Sequence, residues 1–412
     1  MKKVKLAVVG TSGRGTGHIG TLVKMPDVEI SAVCDLYEDR LQNAKKTVED
    51  AGGKPVRAYT DYKKMIADGG LDGVIISSSW DSHGYIAADC LEAGIFCGVE
   101  CGGVCSLDEA WRIVRAYEKT GTHCMYMENC CYGREEMTLL RMVKAGIFGE
   151  LVHIQGGYEH DLRHSIANGH ENRYYRYDNY HHRCAEFYPA HALGPMQKYA
   201  GINRGNRMVS LVSMASKARG LKDYIVRTKG IDNPYASHDI KEGDVVNTMI
   251  KCAHGETMLL THDTTLPRPY SRGGRVQGTR GLWMEDNASI YIENVSADHT
   301  WESFSKYMDD PAYEHPLWTE FRTKGIEGGA HGGMDYLILR AFIECARERT
   351  APPLDAYDAA TLMAVTVLSE ESIALGSAPV AFPDFTDGKW IKREPDPKSK
   401  FSLDAVHTDL FD

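Results

Sequence analysis

Lys5-Leu6-Ala7-Val8-Val9-Gly10-Thr11-Ser12-Gly13-Arg14-Gly15-Thr16-Gly17-His18 is the stretch whose reading decides the fold. Lys5 to Val9 is a short apolar run, read as a buried parallel strand. Ile19, Leu22 and Val23 after it recur at helical spacing. Strand, Gly-rich turn and helix together form a dinucleotide-binding pattern. The turn is a variant of G-x-G-x-x-G, with Gly10 and Gly15 outermost and Ser12 in the middle. Gly13 and Gly17 keep the backbone open, so that its N–H groups can face a pyrophosphate at the helix end. The next strand, Glu29 to Cys34, runs into Asp35, 25 residues after Gly10. A carboxylate there can bond both ribose hydroxyls and repel a 2′-phosphate, so NAD is expected rather than NADP.

Outward from that stretch the alternation continues. Leu71 to Ile76 reads as a strand, followed by Trp80-Asp81-Ser82-His83 and a helix ending at Gly94. Phe96 to Val99 is a strand ending at Glu100, and Ser106-Leu107-Asp108-Glu109 is a capping box. His123 to Met127 is a further strand, ending at Glu128-Asn129. Alternating strands and helices imply a parallel sheet with ligands at the carboxyl ends of its strands. Gly10, Asp35, Trp80 to His83, Glu100 and Asn129 are therefore expected to line one crevice.

From about residue 151 the pattern changes. Strands are expected at Val152–Tyr158, Met208–Met214, Val245–Cys252, Glu256–Thr264 and Ala288–Glu293, with few helices between them. This predicts an open, largely antiparallel sheet. Residues 333–374 read as helical and are expected to pack back on the first domain. The expected class is α/β, with residues 1–130 as a Rossmann domain and 131–388 as an α+β domain. Residues 389–412 are expected to be a surface tail.

Composition narrows the function. The 412 residues are 43% hydrophobic and 25% charged, with a net charge of -10. The charge argues against nucleic acid and anionic membrane as partners, and no apolar run has the length of a membrane span. Eleven cysteines without zinc-ribbon spacing, in a chain whose first strand starts at once, imply reduced thiols and a cytoplasmic location. His160 and His164 beside Asp161 have the one metal-like spacing, and no metal is expected.

Glu186-Phe187-Tyr188-Pro189-Ala190-His191 holds the candidate chemistry. Pro189 suits the first turn of a helix, which would turn Tyr188 and His191 to one side. An imidazole exchanges protons near neutral pH, and a phenol can donate, accept or act as a base.

These motifs carry a resemblance. The Gly-rich turn, Asp35, the block Asp72 to His83, Leu91-Glu92-Ala93-Gly94 and Ala145 to Leu151 resemble the Gfo/Idh/MocA oxidoreductases. Those proteins usually carry Glu-Lys-Pro where this chain has Glu100-Cys101-Gly102. Glu128 to Tyr132, Tyr188-Pro189-Ala190-His191, Leu193-Gly194-Pro195, Gly201 to Arg207 and Gly332 to Tyr336 resemble a narrower branch. That branch is the NAD-dependent glycoside hydrolase family 109, α-N-acetylgalactosaminidase-like, which also lacks the Lys.

The resemblance implies that Gly13, Arg14, Asp35, Trp80, Asp81, Ser82, His83, Glu100, Cys101 and Asn129 contact NAD. It implies that Tyr158, Arg176, Tyr188, Pro189, Ala190, His191 and Tyr270 contact a sugar. It also implies redox-assisted hydrolysis of a small-molecule glycoside. C3 is oxidised transiently, C2 loses a proton, the aglycone is eliminated, water adds and C3 is reduced again. His191 is expected as the C3-hydroxyl base, and Tyr188 or Tyr270 as the group acting at C2. A homo-oligomer through the C-terminal sheet is expected. The alternative is an NAD-dependent sugar or polyol dehydrogenase.

Overall fold

The computed structural model describes residues 2–324 and 331–411. The chain divides into two compact units. The first comprises residues 1–137, 315–361 and 394–412, and the second comprises 138–314 and 362–393.

The first unit is built on six parallel strands: β1 (Val4–Val9), β2 (Val28–Cys34), β3 (Arg57–Tyr59), β4 (Gly73–Ile76), β5 (Phe96–Val99) and β6 (Cys124–Tyr126). Their order is β3-β2-β1-β4-β5-β6. The order in which strands are added reverses between β1 and β4, and in such sheets that switch point opens the ligand crevice. The expected capping box opens the helix Leu107–Thr120, where Ser106 Oγ accepts from Glu109 N–H at 3.3 Å. Its reciprocal half differs: the Glu109 carboxylate accepts from Cys105 N–H at 3.1 Å.

A sequence-distant helix, Met334–Glu348, belongs to this unit and lays Phe342 on the sheet. A Cβ at Gly98 would come within 2.9 Å of the Phe342 ring, and one at Gly73 within 3.1 Å. Both glycines leave room for that ring. The helical stretch expected over 333–374 is broken in two. Arg349 turns left-handed (φ 55°), and a second helix runs Ala356–Ala374. Pro352 and Pro353 between them cannot continue a helix ladder.

The tail expected on the surface is instead partly docked. Residues 394–412 belong to the first unit, with Phe401 and Leu403 buried. Tyr132 Oη donates to Phe401 O at 2.8 Å. The Asp396 carboxylate accepts from Ser402 Oγ at 2.5 Å and from Leu403 N–H at 2.8 Å. The reading from charge and proline missed the two apolar residues that anchor it.

The second unit holds nine strands. They are β7 (Leu151–Glu159), β8 (Met208–Ala215), β9 (Val245–Cys252), β10 (Thr257–Asp263), β11 (Arg275–Gly278), β12 (Gly281–Met284), β13 (Ser289–Ile292), β14 (Glu302–Ser303) and β15 (Val380–Ala381). The order is β14-β13-β12-β11-β7-β10-β9-β8-β15, antiparallel throughout except β7 with β10. The helix Ala190–Tyr199 lies across β7. It approaches closely because β7 carries Gly156, where a Cβ would stand 2.7 Å from Ala192 Cβ. Gly156 and Ala192 thus set the height of the helix over the sheet, and with it the position of the helix start.

Candidate functional site

The carboxyl ends of the first sheet form a cradle shaped by backbone. Gly10 has φ +82°, and a Cβ there would lie 2.5 Å from Ser77 O at the end of β4. A Cβ at Gly15 would lie 1.8 Å from Gly10 O, so the turn closes only with glycine. Gly13, with φ +49° and nothing near its missing side chain, caps the helix Arg14–Leu22 without a side-chain hydrogen bond. Gly15 N–H donates to Ser12 O at 3.0 Å and Gly17 N–H to Gly13 O at 3.1 Å, which closes the turn on itself, and a helix N-terminus of this kind favours an anion. Asp35 follows β2, and its carboxylate accepts from Thr11 N–H at 2.8 Å and Tyr37 N–H at 3.1 Å. Those bonds fix the acid at the strand end.

Trp80, Asp81, Ser82 and His83 form the first turn of the helix Trp80–Glu92. The indole of Trp80 rests on Gly102 (φ +144°), where a Cβ would lie 2.1 Å from Trp80 Cδ1. His83 Nδ1 and Ser77 Oγ are buried without hydrogen-bond partners. Burial pulls the His83 imidazole down, so the ring is neutral. Orphaned buried polar atoms beside a glycine cradle fit a polar cofactor.

Charge at these strand ends is organised around two acids. Glu100 Oε1 accepts from Arg14 Nε at 3.0 Å and lies 2.5 Å from His18 Nε2. Burial alone would raise this carboxyl. Arg14, His18 and Cys101 N–H outweigh it and hold the carboxyl down at about 2. Asp335, at the start of the helix Met334–Glu348, accepts from Arg14 at 2.6 Å and Asn129 Nδ2 at 2.8 Å, and lies 2.9 Å from His331 Nδ1. Here too burial is outweighed, by His331 and Arg14, and the carboxyl is held well below its usual range. Cys101 stands where the related oxidoreductases carry Lys. Its thiol donates to Glu128 Oε2 at 2.9 Å, and burial together with Glu128 and Glu100 pushes it well up. It remains a protonated thiol at neutral pH and cannot take the place of a lysine in proton transfer.

In the second unit the candidate sugar residues meet at the end of β7 and the start of the helix Ala190–Tyr199. Pro189 caps that helix, one residue outside it. The ring centroids of Tyr158 and Tyr188 lie 4.4 Å apart, Tyr158 and His191 5.5 Å, and Tyr188 and His191 4.9 Å. The buried Arg176 guanidinium sits 4.9 Å from the Tyr188 ring and 5.6 Å from the Tyr158 ring. Such stacking orients the cation and favours negative charge developing on those rings. Tyr270, 50% exposed, lies 6.5 Å from Tyr158 at the edge of the group. Pro189 and Ala190 are buried, and Ala190 has no exposed surface at all. They shape the helix start.

The sequence reading missed several of these partners. His18, His331 and Asp335 act through Arg14 and Glu100, and Asp335 lies 321 residues from Arg14. His160, read as a weak metal candidate, instead pairs with Tyr158: its Nδ1 is 3.2 Å from Tyr158 Oη. Burial and the Arg176 cation lower its pKa. His160 is therefore neutral near pH 7 and able to accept the Tyr158 proton. The alternation His160-x-Tyr158 at a strand end was the available signal.

Known proteins resemble this chain along most of its length. The family model for the glycosyl hydrolase 109 C-terminal domain matches residues 132–392. The model for the oxidoreductase family NAD-binding Rossmann fold matches residues 4–128. A glycosyl hydrolase family 109 protein of Stenotrophomonas maltophilia is 42% identical, over 96% of this chain and 91% of its own. An alpha-N-acetylgalactosaminidase of Tannerella forsythia is 39% identical, over 95% and 88%. Among solved structures, levoglucosan dehydrogenase in complex with NADH and levoglucosan superposes with a TM-score of 0.70, at 14% identity, over 93% of this chain and 100% of its own. Myo-inositol 2-dehydrogenase of Lactobacillus plantarum gives 0.63 at 15% identity, over 93% and 100%. At those identities the likeness is one of fold. With a Rossmann unit for NAD at one end and the family's own C-terminal domain over the rest, the chain belongs to glycosyl hydrolase family 109.

Proposed function

We infer that the protein is an NAD-dependent glycoside hydrolase. The observation that carries this reading is the packed group of Tyr158, Tyr188, His191 and Arg176 in a chain whose Rossmann unit has a thiol, Cys101, where dehydrogenases keep a lysine. Bound NAD+ would supply a hydride acceptor for C3 of the sugar and return the hydride at the end of the cycle. Gly10, Ser12, Gly13, Arg14, Gly15 and Asp35 would hold its pyrophosphate and ribose. Trp80 to His83, Glu100, Cys101 and Asn129 would line the remainder.

His191 takes the proton of the C3 hydroxyl as C3 is oxidised. Tyr188, as its phenolate, would then take the proton from C2, acidified by the neighbouring carbonyl, while the C2–H electrons form a C1–C2 double bond and the C1–O bond breaks with its electrons on the departing aglycone. We assign this step to Tyr188 rather than Tyr270 because Arg176 stands over its ring and Tyr270 is largely exposed. The Tyr158–His160 pair moves a proton to or from a sugar hydroxyl. No oxocarbenium ion forms, so no flanking pair of carboxylates is required.

The Tannerella relative makes an α-linked N-acetylgalactosaminide the first substrate to try. A panel of aryl α- and β-glycosides should be screened with NAD+, following aglycone and NADH absorbance together. Aglycone release without bulk NADH is expected. One NADH per aglycone, or NADH formed from an unsubstituted sugar, would instead identify a dehydrogenase.

A homo-oligomer through the second sheet is part of this proposal. The outward-facing row Val212, Met249 and Leu259 is in register across β8, β9 and β10. Light scattering after size exclusion tests it, and a monomer at micromolar concentration would refute it. Eleven free cysteines support a reducing, cytoplasmic location. Among the described residues no helix is long and apolar enough to cross a membrane.

A further inference from the structure

Behind the aromatic group the second unit buries an acid, an imidazole and another acid that the reaction above leaves unused. Glu186, His262 and Glu242 are each 1% exposed. His262 Nδ1 lies 3.5 Å from Glu186 Oε1, and its Nε2 lies 3.8 Å from Glu242 Oε1. Nε2 is also 2.9 Å from Tyr180 Oη, which in turn lies 2.8 Å from Thr264 Oγ1. The rings of Tyr158 and Phe187 complete the surroundings of the imidazole. Cys184 and Glu186 act on Glu242, and the Arg176 charge reaches Tyr180. Burying three ionisable groups costs a fold heavily unless each has a task or a partner.

The position of Glu186 indicates the task. Its N–H donates to Ser369 Oγ at 2.8 Å, and its carbonyl accepts from Thr366 Oγ1 at 2.9 Å. With the backbone pinned on both sides, the carboxylate turns forward, and Oε1 accepts from Tyr188 N–H at 3.3 Å. The same oxygen faces His262, whose ring stacks on Tyr158 at 6.3 Å and 29°. One acid therefore touches the turn carrying Tyr188 and His191 and also the imidazole behind Tyr158. Glu242 has a different part. Burial pushes its carboxyl well up, and its Oε2 accepts from Ala185 N–H at 2.9 Å. Glu186 is the one of the two acids whose carboxylate reaches both His262 and Tyr188 N–H.

We propose that Glu186 is a positioning residue for the Tyr188–His191 turn, its carboxylate paired with His262 so that a held backbone and a fixed negative charge both stand behind the reacting groups. The catalytic consequence rests on the glycosidase reading, whereas the holding of the turn does not.

Two substitutions separate backbone from charge. Glu186→Ala removes the acceptor, and amide hydrogen exchange at Tyr188 should quicken at least tenfold while NAD+ affinity is unchanged. Glu186→Gln keeps an acceptor oxygen, so exchange should stay within threefold of wild type. Its kcat should nevertheless fall about tenfold with KM within twofold. The acid limb of its pH profile should move to lower pH, because an anion favours the protonated form of a nearby base and removing it lets the base lose its proton sooner. His262→Gln should lower kcat similarly, and the double variant should be no worse than the worse single one, since the two act as a unit. Glu242→Gln should stay within twofold throughout.

Glu186→Gln with wild-type kcat and pH profile would overturn the proposal. So would additive losses in the double variant. Should Glu186→Ala not fold, exchange in His262→Gln carries the backbone arm, with no change at Tyr188 counting against the pairing. The exchange experiment needs no substrate. If wild type hydrolyses no glycoside while Glu186→Ala loosens the turn, the glycosidase reading fails and the positioning role stands.

Discussion

On the proposed reading, the two units recognise their ligands by different means. In the first, recognition is made mostly of backbone. Gly10 and Gly15 let strand, turn and helix close on each other, and the side chains that matter are fixed charges such as Asp35, Glu100 and Arg14. In the second it is made of side chains. Tyr158, Tyr188, His191 and Arg176 pack face to edge at a helix start whose height is set by Gly156 and Ala192. A backbone cradle tolerates many surrounding sequences. A cluster of rings depends on each neighbour, so one misplaced atom disables it. The first unit should therefore lose affinity by degrees, and the second should lose activity abruptly.

The largest expected effect separates the units outright. His191→Ala should lower kcat by roughly 10²–10⁴-fold through loss of general-base assistance, with NAD+ affinity within twofold. The variant should form no enzyme-bound NADH in a single turnover and exchange no C2 proton with deuterated solvent. Bound NADH at the wild-type rate would move the oxidation base to another residue.

Next comes acid stability, which sharpens the contrast because it belongs to the first unit. The Glu100 carboxyl is held down to about 2 from an ordinary 4.5. A depressed acid contributes stability that is complete above its unfolded value and is lost as pH falls through the folded one. The loss should span pH 4.5 to about 2, amounting to on the order of 3 kcal/mol. Asp335 should extend it in the same direction. Denaturant melts over that range measure it, and Glu100→Gln should flatten the profile.

Gly156→Ala probes the other side. Its Cβ would stand 2.7 Å from Ala192 Cβ, and overpacking of this kind costs about 1–3 kcal/mol. The helix start should shift, lowering kcat while leaving NAD+ binding intact. Unchanged kcat would show that the cluster tolerates more movement than its packing implies.

The smallest effect is electrostatic. Asp35→Ala should narrow the preference for NADH over NADPH by roughly tenfold, the order expected for one partly screened charge. Fluorescence titration with both nucleotides tests it, and equal affinities already in wild type would remove the premise.

How much of this was legible differs between the units for a physical reason. The Gly-rich turn, Asp35 and the strand ends were readable because their signals are local: a strand period, a glycine where no Cβ fits, a capping box. The long strands β7, β8, β9 and β10 were readable for the same reason. The strands β3, β11, β12, β14 and β15, two to four residues each, were not read from the sequence. The break near Arg349 and the docking of Phe401 also escaped a reading by periodicity and charge.

By itself the sequence determined the class of fold, the dinucleotide turn, the missing lysine at Cys101 and the Tyr188–His191 motif. The missing lysine is legible only through the family resemblance; the others are stated by neighbouring residues, whose spacing translates directly into a backbone shape or a shared helix face. Only the tertiary structure decided that Asp335 bonds Arg14 from 321 residues away, that His160 serves Tyr158, and that His262 and Glu186 stand together behind the turn. Those pairings depend on which strand lies beside which and how closely a helix descends on a sheet. Sheet order and packing distance are properties of the folded whole, and no stretch of chain encodes them alone.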